Sequence, residues 1–150
     1  MDNNYYIKFS FINGNIYQRI EKLFNYIKEI KNEYIQIGNL DDDIKLLEFF
    51  SEEELNYFWW PTEQENNEFW DTYEKLPAKK KAEHLNSVPW DYATVFDEIG
   101  QGEYEITNCR KINETTGILY FYPTAFPYGG TKPLQEAIKA FGAKIIDLDG

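Results

Sequence analysis

The sequence predicts an α+β fold of the ferredoxin-like, split β-α-β class, with a helical insert between the first helix and the second strand. Three observations carry that expectation. The chain opens on a period-two run followed by a helical period, it closes on the order β-β-α-β, and residues 41 to 100 between them spell a series of capped short helices. At 150 residues and 17.8 kDa the chain fits one globular domain, 1–150, burying roughly 70% of its extended-chain surface.

From Tyr5 the chain alternates Tyr5, Ile7, Phe9 and Phe11 against Tyr6, Lys8 and Ser10, the mark of a half-buried strand, which the turn Asn13-Gly14-Asn15 ends. Ile16, Ile20, Leu23, Phe24, Ile27 and Ile30 then recur at helical spacing with Arg19, Lys22, Lys28 and Glu29 between them, predicting a long amphipathic helix. The run YIQIG at 34 to 38 is a candidate extra strand.

The insert opens at Asp41, placed to cap a short helix carrying Ile44, Leu47 and Phe50. Ser51 with Glu54 forms a capping box, flanked by Phe50 and Leu55 at the positions of a hydrophobic staple. A second box, Thr62 with Glu65, follows Pro61 and opens a helix that aligns Phe69, Tyr73 and Leu76. Lys79, Lys80 and Lys81 form the one concentrated positive run, read as the solvated side of a helix beside the acidic segment. Ser87 is expected to cap a further helix with Pro89 in its first turn, buried through Tyr92, Val95, Phe96 and Ile99 and stopped by Gly100.

Two strands follow, 103 to 112 and 118 to 122, joined by NETTG with Asn113 and Gly117 in a hairpin loop. The turn PYGG leads to a helix aligned by Leu134, Ala137, Ile138 and Phe141 and closed by Gly142, before the final strand AKIIDLD.

Composition narrows the function classes. Aromatic residues make up 18% of the chain, far from a disordered composition. A formal net charge of −11 repels bare nucleic acid and anionic membrane surfaces over about a Debye length, roughly 8 Å at physiological salt, and points to a basic partner. Cys109 is the only cysteine, so no intramolecular disulfide and no CxxC metal knuckle can form, which favours a reducing compartment. The N-terminal stretch lacks a signal-peptide pattern and no run of 18 apolar residues occurs, so a soluble, cytoplasmic protein is expected.

The acidic charge is concentrated. Residues 41 to 75 hold twelve Asp or Glu against Lys45 and Lys75, a net charge of −10. Within them residues 57 to 70, YFWWPTEQENNEFW, crowd aromatic rings and carboxylates around one proline with no positive charge. Interfaces draw strength from aromatic anchors and steering from the charge around them, so Tyr57, Trp59, Trp60 and Trp70 with Glu63, Glu65 and Glu68 form the candidate partner-binding surface. The competing reading puts Leu55, Phe58 and Trp59 on the core side of a helix whose glutamates favour its first turn. Two features exceed that reading. The boxes need only Glu54 and Glu65, and adjacent tryptophans diverge by about 100° on a helix, so both are buried only if the backbone breaks.

Other chemistry is sparse. In FPYGGTKPLQEAIKAFG, 126 to 142, Gly129, Gly130 and Thr131 precede a helix N-terminus and Tyr120, Tyr122 and Tyr128 lie near it, an alternative site for an anion or small molecule. Neither GxxxxGK[ST] nor GxGxxG is present, and the glycines are also what a tight strand-to-helix turn requires. His84 is the sole histidine, so a His-pair metal site lacks its second member and any Cys-His-Asp or Ser-His-Asp triad depends on this one residue, which is expected protonated, not catalytic, on an exposed helix. Cys109 lies in a strand with Tyr104 and Ile106 expected on the opposite side, as a passive half-buried thiol unless Arg110 lowers its pKa. The Asp41-Asp42-Asp43 run lacks the spacing and closing Glu of a calcium loop. No catalytic residue, metal or cofactor is assigned.

A small, acidic, Trp- and Tyr-rich cytoplasmic domain without catalytic residues resembles, in general profile, immunity proteins that neutralise bacterial toxins, commonly basic nucleases. The resemblance implies carboxylates standing in for the phosphates such a toxin would bind, with Tyr57, Trp59, Trp60 and Trp70 as anchors.

Overall fold

The computed structural model describes residues 5–33 and 40–149. The candidate strand at 34 to 38 lies outside the described residues. Strand β1 (Tyr6–Ser10) leads into helix α1 (Gly14–Glu33), and two 3-10 segments follow, Leu40–Asp42 and Ile44–Phe49. Helices α2 (Glu52–Leu55), α3 (Glu63–Lys75), α4 (Ala78–Leu85) and α5 (Tyr92–Gln101) precede β2 (Tyr104–Asn113), β3 (Thr116–Pro123), α6 (Lys132–Ala140) and β4 (Lys144–Asp149). The fold is mixed α+β. Its four-stranded sheet runs β2-β3-β1-β4 with every neighbouring pair antiparallel.

The period-two run sets which side of β1 is covered: Ile7 and Phe9 have no exposed surface and Phe11 almost none, while Tyr6, Lys8 and Ser10 are half-buried. Against the sheet pack Ile20, Leu23, Phe24 and Ile27 of α1 and Leu134, Ala137 and Ile138 of α6, and Val95, Phe96 and Ile99 of α5, which lies on α6 and on 40–42, join the same core. Each of these side chains apart from Ala137 stabilises the fold by about 1.5–3 kcal/mol relative to exposure. Gly117 pairs with Phe9 across β1 and β3, and a Cβ there would lie 2.6 Å from the Phe9 ring. The residue expected in the hairpin loop is therefore a strand residue, kept small by a close approach. Glu114 and Thr115 alone make the turn, with the Thr115 N–H donating to Asn113 Oδ1.

Several local expectations are corrected. Asp41 lies inside the 3-10 segment Leu40–Asp42, and Asp43 caps the next one, Ile44–Phe49, accepting from the Lys45 N–H; in that segment Ile44 is exposed and Leu46 is buried. Asp91, not Ser87, caps α5, while the Ser87 hydroxyl donates to the His84 carbonyl at the end of α4. In β2 the register shifts between Ile106 and Asn108, and the extra residue brings Tyr104, Ile106 and Cys109 all onto the buried side. Burial pushes the Cys109 thiol up to about 12, a passive thiol with no activation by Arg110. Among the described residues no helix is long and apolar enough to cross a membrane.

Candidate functional site

Both capping boxes form as spelled. Glu54 N–H donates to Ser51 Oγ and Glu65 N–H to Thr62 Oγ1, each glutamate accepting from the cap residue's backbone in return. Between the boxes Asn56 is still helical, the Tyr57 and Phe58 N–H groups close tight turns onto the Glu54 and Leu55 carbonyls, and the chain leaves the helix for a strand-like bridge at Trp59. The Trp59 N–H donates to the Trp90 carbonyl and the Tyr92 N–H to the Trp59 carbonyl, an isolated parallel bridge to Asp91.

That bridge answers how two adjacent tryptophans are housed. In extended backbone consecutive side chains point opposite ways. Trp59 packs on Phe69 of α3 with centroids 5.2 Å apart, whereas Trp60 lies flat on Tyr92 of α5 at 4.8 Å and donates its indole N–H to the Leu55 carbonyl. Phe58, the residue before them, is the core residue of the trio, edge-on to Phe50, Tyr92 and Phe96.

The predicted partner-binding residues therefore divide by surroundings. The Tyr57 hydroxyl donates to Glu136 Oε1, a buried carboxylate that also pairs with Lys139 at 2.7 Å, so this tyrosine is fastened to α6. Trp59 is half-buried. Trp60 and Trp70 remain 49% and 44% exposed, and Glu63, Glu65 and Glu68 all face solvent. The hydrogen bonds from Thr62 hold the exposed Glu65 carboxyl below its usual range, so it stays ionised.

Helices α3 and α4 form a hairpin in which neither helix has a buried residue. Phe69, Tyr73 and Leu76 fall on its inner side and are half-buried, as their spacing predicts. His84 stacks on Phe69 at 4.2 Å with Nε2 2.8 Å from the Phe69 carbonyl, and Lys81 sits over the Tyr73 ring at 4.8 Å. The histidine expected on an open surface thus helps to hold the hairpin together. Glu63, Glu68, Asp71 and Glu74 point away from it into solvent. No protein-family model, curated protein or solved structure matches the chain.

At the alternative site Gly129 and Gly130 adopt φ of 102° and 80°, conformations that favour glycine. Tyr128 is buried against Tyr104 and Phe121, Tyr120 accepts a hydrogen bond from Arg110, Tyr122 is exposed, and the Thr131 hydroxyl accepts from Gln135. An open cleft of about 520 Å³ lies elsewhere, between α2 and the end of α6. Two of its charged groups are already engaged: Glu54 holds Arg19, and Lys139 holds Glu136. Sequence reasoning gave Arg19 and Glu136 no role. For Glu136 a signal existed, since it shares a helix side with Pro133 and Ala140, where an ionised group needs a partner.

Proposed function

We propose that this protein is a non-enzymatic binding protein that docks a basic protein through the acidic outer side of α3 and the exposed tryptophans beside it. The observation that carries the reading is a helix of 13 residues with no buried residue and its carboxylates in solvent. A fold has no need of such a helix for its own core, whereas exposed aromatic anchors ringed by charge suit recognition. The sheet order β2-β3-β1-β4 with every pair antiparallel supports the split β-α-β, ferredoxin-like reading, in which residues 41 to 100 are an elaboration of a complete framework. A toxin-neutralising role against a basic nuclease in the cytoplasm fits this charge chemistry, with carboxylates in place of phosphates.

The test is affinity capture from source lysate at low and high salt, followed by association kinetics of the captured basic protein with the native chain and with E63Q/E65Q/E68Q. Glutamine preserves the second capping box, so the variant keeps its helix. A slower, less salt-sensitive association is expected; an unchanged rate and affinity would sink the reading.

A second reading has one observation behind it. Thr131 gives α6 no side-chain cap, so the first-turn N–H groups after Gly129 and Gly130 are placed to meet a small anion. A thermal shift with inorganic phosphate checks it, and no shift removes it.

A further inference from the structure

Helices close one side of the sheet and leave the other open. Ile118 marks the difference: it is 6% exposed, yet alone among the buried apolar residues described it stands outside the common core, in the middle of the open side. The pairing registers lay that side out in rows running from β2 to β4. One row is Asn108, Tyr120, Tyr6 and Asp149, and the next is Arg110, Ile118, Lys8 and Asp147. Two contacts tie the rows together. Arg110 donates to the Tyr120 hydroxyl at 3.3 Å with its guanidinium 5.5 Å from the ring centre, and the Tyr6 hydroxyl donates to Asp147 Oδ2 at 2.8 Å. Tyr6, Lys8 and Tyr120 are half-buried, while Asn108, Arg110, Asp147 and Asp149 are exposed.

The charges on this side balance, although the chain as a whole carries −11. Lys8, Arg110 and Lys144 stand against Glu105, Asp147 and Asp149, three of each sign. They are also segregated: Arg110 lies at the β2 edge and the two aspartates at the β4 edge, and none of these three makes an ion pair among the described residues. Tyrosine and arginine are the residue types that anchor protein interfaces. A basic partner gains little on a neutral surface, whereas a second copy of an acidic chain can approach here without like charge meeting like.

We propose that the open side of the sheet is a self-association surface, on which two copies of the chain pack sheet to sheet about a two-fold axis running along the strands. Such an axis keeps each row at its level and reverses its order, so that β2 of one copy lies over β4 of the other. Arg110 then faces the second copy's Asp147 and Tyr120 faces its Tyr6, and each contact occurs twice. No residue of α3 belongs to this surface, so the inference does not depend on docking through α3 and leaves its carboxylates outside the contact. One side of a four-stranded sheet is small beside a permanent interface, so the dimer is expected to be weak and reversible, with a dissociation constant on the order of 100 µM.

Sedimentation velocity of the native chain from about 10 µM to about 1 mM should follow a monomer into a dimer. Over the same range, two-dimensional NMR should show the amides of Tyr6, Arg110 and Tyr120 shifting with concentration. R110D sets carboxylate against carboxylate and D147R sets guanidinium against guanidinium, so each variant alone should dimerise about tenfold more weakly or worse. Mixing the two restores both opposite-charge pairs, and a one-to-one heterodimer should form where either variant alone is a monomer. Both positions are exposed, so both variants should melt as the native chain does, and the native dilution series stands without them. A native monomer at every concentration, undiminished dimerisation of R110D, or no heterodimer from the folded variants would overturn the proposal. Shifts confined to 144–149, as edge-to-edge pairing of β4 would give, or to 63–74 would overturn it as well.

Discussion

The ring of Trp60 lies on the ring of Tyr92 with centroids 4.8 Å apart, while its neighbour Trp59 turns to Phe69 on the other side of the chain. Trp60 is half exposed and Phe58, two residues earlier, is 3% exposed. Truncating Phe58 to alanine removes a ring held edge-on by three others and should cost about 3–5 kcal/mol. Trp60→Ala loses one stack and one indole hydrogen bond, about 1–2 kcal/mol. Urea denaturation of both variants checks the order. Equal losses would place Trp60 in the core and remove it from the docking surface.

Tyr57 tests a different division. Its hydroxyl completes the hydrogen bonding of the buried Glu136, so Tyr57→Phe should cost about 1–3 kcal/mol by leaving that carboxylate short of a donor. The matching measurement is thermal unfolding of Y57F beside Y57F/E136Q. If Tyr57 acts on the fold in this way, the double variant recovers part of the loss.

What the sequence disclosed, and what it withheld, follows from the range of the forces involved. The boxes at Ser51/Glu54 and Thr62/Glu65 close within one helical turn, so residue spacing alone dictates them. The stripes of α1 and α6 were readable for the same reason. The choice of Asp91 over Ser87 as the cap of α5 depends on the bridge between Trp59 and Asp91, a contact between segments some thirty residues apart. Likewise the turn of Cys109 toward the core comes from a bulge against β3, which alternation along β2 does not reveal. The acidic segment was visible as a count of charges, but the packing of 40–42, with Asp41 and Asp42, against α5 exists only once the chain has folded.

Gly117 gives a prediction of the sheet. A methyl group at this position would meet the Phe9 ring at 2.6 Å and Tyr17 at 3.0 Å, and both rings are buried. Gly117→Ala should destabilise by about 1–3 kcal/mol through overpacking. Gly14, whose added Cβ meets nothing within 4 Å, is the control. Equal melting temperatures for G14A and G117A would contradict the pairing of Phe9 with Gly117.

The bidentate pair of Arg19 and Glu54 predicts an acid limb of stability. Burial raises the Glu54 carboxyl, but the hydrogen bonds from Arg19 and the Ser51 cap outweigh it and hold the group below its usual range. A depressed carboxyl contributes stability above its unfolded value, about 4.3, and loses it as pH falls through the folded value. The native chain should therefore lose more stability than E54Q between about pH 5 and 3. Parallel curves for the two would show that the pair contributes nothing through ionisation.

Lys31 predicts the opposite limb. Its ammonium donates to the carbonyls of Ile99 and Gly102 at 2.8 and 3.0 Å and lies 4.5 Å from the centre of the Tyr104 ring, closing the end of α5. Burial lowers it to about 8, with Glu103 offsetting only part of that cost. In the unfolded chain the amine keeps its proton to about 10.4, so between pH 8 and 10 the unfolded state binds more protons and stability rises with pH. Tyr104 and Tyr17, both raised first by burial, keep protons that the unfolded chain begins to lose as pH nears 10, and the raised Cys109 thiol acts in the same direction; these lower stability in the native chain and in K31M alike, so the Lys31 contribution is read as the difference between the two. Guanidinium denaturation should show the native chain gaining stability relative to K31M from pH 8 to 10. A flat or falling native curve relative to K31M would mean that Lys31 stays fully solvated, and that the end of α5 is closed by something other than its ammonium.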